Sequence, residues 1–245
     1  MKQNRFIVVV TQRNAVAFIK KCLDSVMMQT YKNYIVPIMD DCSDDGTWEI
    51  VKQYPEPFYG IRNDPRHEFY CKNFITAINT FSERGDILAL LSGDDWFYSN
   101  DVLEYLNGVY QDEDVWLTYG SFVSSSGAIG ADFCKPLTDT RTYRRNHKWY
   151  TSHLITCRKE LWDKIRNEDL LYHGNYPNHS FDNAFMYPMI EMAGLKHTKY
   201  IEKVLYVYND QNPLCLENYK KDPGACMRER RYWSKRPMYD ELTEL

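Results

Sequence analysis

This 245-residue chain lacks a long apolar run and an excess of basic charge. No stretch approaches the roughly 20 consecutive apolar residues of a membrane-spanning helix. The first residues lead directly into an apolar strand, without the apolar region and cleavage site of a signal peptide. We therefore expect a soluble, cytoplasmic protein without a transmembrane segment, and leave peripheral attachment to a membrane open.

The formal net charge of −4 argues against a surface for nucleic acid. A local basic cluster near the end of the chain is interpreted either as a solvated helix face or as a patch for an anionic partner. Its members are Arg228, Arg230, Arg231, Lys235 and Arg236.

The seven cysteines are scattered along the chain and never form a C-x-x-C pair. Zinc sites and disulfide frameworks depend on cysteines in paired or regular spacings, so neither is predicted here. We expect all of these thiols to be reduced.

Strand and helix patterns alternate along the first half of the chain. This rhythm is typical of βαβ units and predicts a mostly parallel central sheet with right-handed crossovers, flanked by helices. A length of 245 residues is compatible with one such α/β domain. The periodicity lapses between Gly120 and Tyr150, which predicts a long functional loop. Pro188 predicts a kink in a later helix that starts at Phe181, and the residues after Tyr208 resemble a peripheral arm.

Two adjacent carboxylates, Asp94 and Asp95, follow an apolar run from Ile87 to Leu91. Such a run predicts a buried parallel strand, and ligands of open α/β sheets bind beyond the carboxyl ends of these strands. Paired carboxylates suit a hard divalent cation, Mn²⁺ or Mg²⁺, which can bridge to the phosphates of a nucleotide. The alternative is that one aspartate only caps the helix that follows.

Five segments of the chain together resemble family 2 glycosyltransferases of the GT-A fold. They are Val10-Thr11-Gln12-Arg13-Asn14, the helix end from Cys22 to Tyr34, the turn from Asp40 to Thr47, Lys72-Asn73, and Ser92-Gly93-Asp94-Asp95. Their order and spacing are similar to those of the family's small nucleotide-sugar transferases over nearly the whole chain. The resemblance implies one Rossmann-like domain over residues 1–245, with a nucleotide-binding half at 1–119 and an acceptor half with a C-terminal arm at 120–245.

The resemblance places four residues at the nucleotide sugar. Thr11 ends the first strand, where its hydroxyl can hydrogen-bond a base or ribose. Asp41 resembles the carboxylate that accepts the uracil N–H; its alternative role is to close the turn. Arg13 stands where relatives often carry a tyrosine that stacks on the base, and a guanidinium plane can also stack. Lys72 would neutralise the diphosphate, unless it is an exposed helical lysine.

The resemblance also implies a metal site. Asp94 would touch the ribose or the metal shell, and Asp95 would bind the metal that bridges both phosphates. Relatives often carry a metal-binding histidine shortly after the position of Tyr208, but this chain has none there. Asp210 is the candidate for a third ligand, since oxygen ligands suit Mn²⁺ and Mg²⁺.

On the acceptor side, Asp182 resembles the catalytic base of the family. The acceptor hydroxyl must lose its proton as it attacks the anomeric carbon, so the chemistry requires such a group. Capping a helix is the alternative role of Asp182. Phe181 departs from the family, in which an acidic or small residue is usual. His153 is expected to contact the donor sugar or the acceptor, or else to be a buried structural histidine.

The resemblance thus implies an inverting, metal-assisted transfer of a sugar from a nucleoside diphosphate sugar, with UDP as the expected nucleotide, to a hydroxyl of a glycan or glycoconjugate. A degenerate protein that binds the nucleotide sugar without turnover is the alternative suggested by Arg13, Phe181 and the missing histidine. Asp44-Asp45-Gly46-Thr47 also resembles the nucleophile loop of haloacid-dehalogenase phosphatases, but Ser43 stands at the nucleophile position. A calcium loop at this turn would require an acid where Lys52 stands.

Overall fold

The computed structural model describes residues 2–63, 70–146, 149–177, 179–214 and 221–245. The strands of these residues are β1 (Phe6–Gln12), β2 (Tyr34–Asp40), β3 (Phe58–Arg62), β4 (Ile87–Ser92), β5 (Trp96–Phe97), β6 (Leu117–Ser124), β7 (Thr156–Arg158) and β8 (Thr198–Tyr208). They form one sheet in the order β3-β2-β1-β4-β7-β6-β8-β5. The first four strands in this order are parallel, as are β6 and β8, whereas β5 and β7 pair antiparallel with their neighbours. The predicted α/β fold with a mostly parallel sheet is confirmed.

Helices cover both faces of this sheet. They are α1 (Ile19–Met27), α2 (Thr47–Val51), α3 (Tyr70–Phe81), α4 (Val102–Val109), α5 (Lys159–Trp162), α6 (Phe181–His197) and α7 (Ala225–Ser234). Alternate side chains of a strand point to opposite faces, so Phe6, Val8 and Val10 of β1 pack in the cluster that includes α1 and α4, and Ile7 and Val9 pack in the cluster that includes α3 and α6. Along the parts of the chain that the structure describes, no helix is both long and apolar enough to cross a membrane.

The helix around Pro188 differs from the prediction. Helical backbone continues through Pro188 because the fixed φ of proline, about −65°, lies in the helical range. The interruption of α6 lies instead at Gly194, where φ is 61° and ψ is −172°. A residue without a Cβ adopts this positive φ at little cost. The departure from helical backbone angles thus lies at Gly194 and not at the predicted Pro188.

Two irregular regions are more ordered than the sequence suggests. The stretch from Gly120 to Tyr150 continues β6 as far as Ser124 and contains two short 3₁₀ helices after it. The C-terminal region is not a peripheral arm. Trp233 of α7 is fully buried, and its indole N–H donates to the carbonyl of Asp169 at 2.9 Å. Burial of this large side chain makes α7 part of the main core.

A buried ion pair holds the C-terminal residues to α6. Arg144 donates to Glu191 at 2.6 Å, and only 3% and 1% of the two side chains are exposed. Arg144 also donates to the carbonyl of Pro237 at 3.2 Å.

We expect Arg144→Met to lower the free energy of unfolding by about 3 to 5 kcal/mol, because it leaves Glu191 buried without its counter-charge. Urea denaturation measures this loss, and Arg145→Met, an exposed neighbour, is the control. Equal stability of the two variants would contradict the prediction.

Candidate active site

The predicted nucleotide residues meet at one edge of the sheet. Thr11 of β1 is paired in register with Ser92 of β4, and Gln12 is paired with Asp40 of β2. Asp41 therefore follows β2 beside the end of β1, and its backbone N–H donates to the carbonyl of Gln12 at 3.0 Å. This is the carboxyl edge of three neighbouring parallel strands, where open α/β sheets bind ligands.

Gly93 brings the strand ends close together. Its N–H donates to the carbonyl of Thr11 at 2.9 Å. A Cβ at this position would clash with the side chain of Gln12. The Ser92-Gly93-Asp94 segment can therefore pass this close to β1 only because residue 93 is glycine.

The turn after β2 is closed by Asp40. This fully buried carboxylate accepts the N–H of Ser43 at 2.8 Å and the side-chain amide of Gln12 at 2.6 Å. Closing the turn, which was the alternative role considered for Asp41, is therefore performed by Asp40. Asp41 is itself buried and accepts the amide of Asn63 at 3.1 Å.

Several polar atoms at this edge are buried without a hydrogen-bond partner among the described residues. They are the hydroxyl of Thr11, the side-chain oxygen of Gln12 and the amide nitrogen of Asn73. Buried polar groups are nearly always paired in folded proteins, and unpaired ones often mark a ligand or water site. The edge thus has hydrogen-bonding capacity that the described residues do not use.

Arg13 and Lys72 lie at the rim of this edge. Arg13 directly follows β1 and is exposed, whereas Lys72 is half-buried in the first turn of α3. Tyr70 opens the same helix, and its hydroxyl is hydrogen-bonded to that of Ser92 at 3.1 Å. A phenol beside the end of β4 was not predicted.

Asp95 accepts hydrogen bonds from two residues that are distant from it in the sequence. Only 2% of it is exposed, and its carboxylate accepts the hydroxyl of Tyr206 and the N–H of Asn209. Burial raises the pKa of Asp95, and the negative charge of Asp94 raises it further. Neither aspartate caps a helix, because both precede the short strand β5 and α4 begins only after Asp101. The capping alternative is therefore wrong.

The third metal ligand considered from the sequence points elsewhere. Asp210 accepts hydrogen bonds from Ser125 and Ser126. Asn212 instead reaches the pair and donates its amide to Asp94 at 2.7 Å. Within the described ranges, no group of three or more His, Cys, Asp and Glu side chains suits a metal ion.

The two carboxylates nevertheless provide the oxygen ligands that a divalent cation such as Mg²⁺ prefers. The charge of Asp94 disfavours ionisation of Asp95, and a cation would relieve that repulsion. Mg²⁺ in nucleotide sites is usually held by one or two carboxylates together with substrate phosphates and waters.

Asp182 lies in the first turn of α6, but Ser180 occupies the N-cap position. The carboxylate of Asp182 lines a small cavity of about 10 Å³ together with Tyr70, Ser92, His153 and Tyr206. This is room for about one water molecule. Burial raises the pKa of Asp182, and His153 and Arg230 act in the opposite direction.

His153 is stacked against two tyrosines. Its ring is nearly parallel to those of Tyr206 and Tyr208, at centroid distances of 4.7 and 5.9 Å. Burial lowers the pKa of His153. Tyr206 thus connects the two halves of the site, since its hydroxyl binds Asp95 and its ring packs on His153.

An α/β sheet with polar groups gathered beyond its parallel strand ends is the class of protein that binds its ligands at this edge. The model of the family "Glycosyl transferase family 2" matches residues 7–167. The chain therefore belongs to glycosyl transferase family 2, as the resemblance predicted. This membership makes the phosphatase interpretation of the Asp44–Thr47 turn wrong.

Two curated relatives match parts of the chain. The chain is 29% identical over 140 residues to Glycosyltransferase GlyA of Streptococcus pneumoniae. This alignment covers 56% of this chain and 19% of that protein. The chain is 26% identical over 118 residues to the UDP-Glc:alpha-D-GlcNAc-diphosphoundecaprenol beta-1,3-glucosyltransferase WfaP of Escherichia coli, in an alignment that covers 47% of this chain and 45% of that protein. The matches thus span less than half the length of either relative.

Solved structures with a similar fold hold nucleotide sugars. S. aureus TarS 1-349 in complex with UDP-GlcNAc has a TM-score of 0.69 and 16% identity, over 94% of this chain and 65% of that one. The mannosyltransferase PcManGT from Pyrobaculum calidifontis, in complex with GDP-Man and Mn²⁺, has a TM-score of 0.60 and 16% identity, over 95% and 70%. At these identities the likeness concerns the fold, which is that of GT-A glycosyltransferases.

Proposed function

We propose that the chain transfers a sugar from a nucleoside diphosphate sugar, with UDP as the nucleotide, to a hydroxyl of a glycan or glycoconjugate. One observation carries the proposal: Thr11, Asp41 and the Asp94-Asp95 pair converge at the edge where buried polar atoms lack partners among the described residues. Family membership supports it, as does UDP in the name of WfaP and in the TarS complex.

The nucleotide would lie along the ends of β1, β2 and β4. Asp41 would accept the N–H of uracil, and the unpaired hydroxyl of Thr11 would bind the base or ribose. The exposed guanidinium of Arg13 would stack on the base. Lys72, in the first turn of α3, would supply positive charge to the diphosphate.

Asp95 would bind a Mn²⁺ or Mg²⁺ ion, and Asp94 would touch the ribose or the metal shell. When bound, such an ion stabilises the charge that develops on a departing diphosphate. The hydrogen bonds from Tyr206 and Asn209 to Asp95 fix the orientation of that carboxylate. Outer contacts of this kind orient metal-binding carboxylates in other proteins.

The transfer would proceed with inversion. The acceptor hydroxyl attacks the anomeric carbon from the side opposite the diphosphate, the new C–O bond forms as the bond to the diphosphate breaks, and Asp182 takes the hydroxyl proton. His153 would contact the donor sugar or the acceptor beside this base, since both residues line the same cavity.

We also propose a cytoplasmic location. The six cysteines within the described residues are free thiols, a usage typical of reducing compartments. Cys215 lies outside the described residues.

Titration calorimetry with UDP tests the nucleotide site. We expect Asp41→Ala to weaken UDP binding by about 1 to 3 kcal/mol, because the base N–H loses its buried acceptor. Asp44→Ala removes the same charge from an exposed position of the same turn and should bind UDP like the wild type. Unchanged affinity in Asp41→Ala would remove Asp41 from the site. UDP binding without transfer from any nucleotide sugar would instead indicate a degenerate binding protein.

A further inference from the structure

Arg230 of α7 lies beside the candidate base. Its positive charge lowers the pKa of Asp182, and its guanidinium lies over the ring of Trp149, 5.9 Å from the centroid. The side chain is half-buried, and its Nε atom is buried without a hydrogen-bond partner among the described residues. A buried N–H of a charged group is costly to leave unpaired. The described residues thus leave this N–H group without an acceptor, which a bound anion would supply.

Other arginines of the basic cluster are paired. Arg228 forms an ion pair with Asp222, and Arg236 forms one with Asp169 at 2.6 Å. Arg230 forms no ion pair within the described ranges. The cluster is thus not a uniform solvated face, because Arg230 is half-buried and packs over the ring of Trp149.

The neighbouring residue Glu229 fixes Arg230 relative to Asp182. Its carboxylate is buried and accepts the N–H groups of His179 and Ser180, at 3.1 and 2.7 Å, directly before α6 begins. Ser180 also donates its hydroxyl to the carbonyl of Cys226 at 3.1 Å. These bonds tie α7 to the start of α6, so the backbone at Arg230 is held next to the turn that carries Asp182.

The position of Arg230 favours the acceptor over the donor. Its charge acts on Asp182 and Tyr187, both on α6. Arg230 thus lies beside α6, the helix that carries the candidate base, because its neighbour Glu229 accepts the N–H groups directly before that helix.

We propose that Arg230 and Trp149 form an acceptor subsite for a glycan that carries an anionic group, a phosphate or a carboxylate, near the hydroxyl that receives the sugar. The inference rests on the proposed transferase function and specifies the chemical class of its acceptor. A guanidinium binds either anion through two parallel N–H groups. The ring of Trp149 lies under this guanidinium at 5.9 Å and helps to hold it in position through a cation–π contact.

Binding of small sugars to the UDP-saturated protein tests this subsite. The probes are N-acetylglucosamine 1-phosphate, glucuronic acid and neutral methyl N-acetylglucosaminide, each followed by saturation-transfer NMR. One of the anionic sugars should bind about tenfold more tightly than the neutral one, which is the effect of one charge-assisted contact. The stronger of the two identifies the anion as phosphate or carboxylate.

Arg230→Met should abolish the preference and leave UDP affinity unchanged. Arg231→Met removes the same charge from an exposed position of α7 and should keep the preference. Arg230→Lys keeps the charge but lacks the two parallel N–H groups, and it should retain part of the preference for the anionic sugar. Equal binding of anionic and neutral sugars to the wild type would overturn the inference, whether or not the variants fold. Weaker UDP binding by Arg230→Met would also overturn it, because Arg230 would then serve the donor. A wild-type protein that fails to bind UDP would instead refute the proposed function.

Discussion

Replacing Asp182 with asparagine is expected to lower kcat by about 10²-fold or more, because it removes the group that takes the acceptor proton. Asparagine keeps the size of the side chain, and Ser180 rather than Asp182 is the N-cap of α6. UDP affinity should therefore stay nearly unchanged. Steady-state kinetics and UDP titration on the same preparation separate the two effects.

The stability of this variant distinguishes a base from a structural carboxylate. Burial raises the pKa of Asp182 in the folded state, so its contribution to stability is present below the unfolded pKa and is lost as pH rises through the folded one. At neutral pH the ionised group is then a net cost, and Asp182→Asn should be at least as stable as the wild type. A destabilised variant that keeps its turnover per folded molecule would show a structural role, and His153 would be the next candidate base.

The pH profile provides an independent check on Asp182. If this group must be ionised, kcat/KM should fall on the acid side with an apparent pKa above the ordinary value of about 3.9 for aspartate. The charge of Arg230 lowers the pKa of Asp182. Arg230→Met should therefore move the acid limb to higher pH. If neither Asp182→Asn nor Arg230→Met changes the pH of the acid limb, that limb reports the ionisation of another group.

The donor edge was predictable because it depends on short segments of sequence. Thr11, Asp41 and Asp94 each follow an apolar strand directly, and the carboxyl ends of neighbouring parallel strands meet at one edge. Once the strand order is that of a Rossmann-like sheet, these residues come together without any knowledge of side-chain packing.

The residues that orient the carboxylates were not predictable in this way. Tyr206 and Asn209 are 111 and 114 positions from Asp95 in the chain, and Asn212 is 118 from Asp94. They reach the site because β8 pairs with β5 directly after Asp95, and pairing between distant strands leaves no local signal. The carboxylate of Asp210 would be the better metal ligand, but it accepts hydrogen bonds from Ser125 and Ser126. The amide of Asn212 instead contacts Asp94.

Arg230 was recognised from the sequence only as one member of a basic cluster. Five cationic side chains within nine residues look alike as letters, and a cluster of that kind usually lies on a solvated face. What distinguishes Arg230 is the docking of α7 through the buried side chains of Glu229 and Trp233. Tertiary packing of this kind is not encoded in the local pattern of charge.

Removal of divalent metal is expected to lower transfer by about 10²-fold or more, since the departing diphosphate loses its main charge stabilisation. Dialysis against EDTA followed by readdition of Mn²⁺ or Mg²⁺ tests this. A second measurement does not depend on activity: Mn²⁺ together with UDP should raise the melting temperature of the wild type, because a ligand that binds only the folded state stabilises it.

Asp94→Asn and Asp95→Asn should each reduce that shift in melting temperature. Asp95 is buried and accepts two hydrogen bonds, so its replacement also tests folding. Asp94 is half-buried, and its replacement isolates the metal. Asp101→Asn alters an exposed carboxylate that pairs with Lys203 at 2.6 Å and should behave like the wild type. Full activity after EDTA treatment would contradict the metal site, and stabilisation of the leaving diphosphate would then fall to basic side chains such as Lys72.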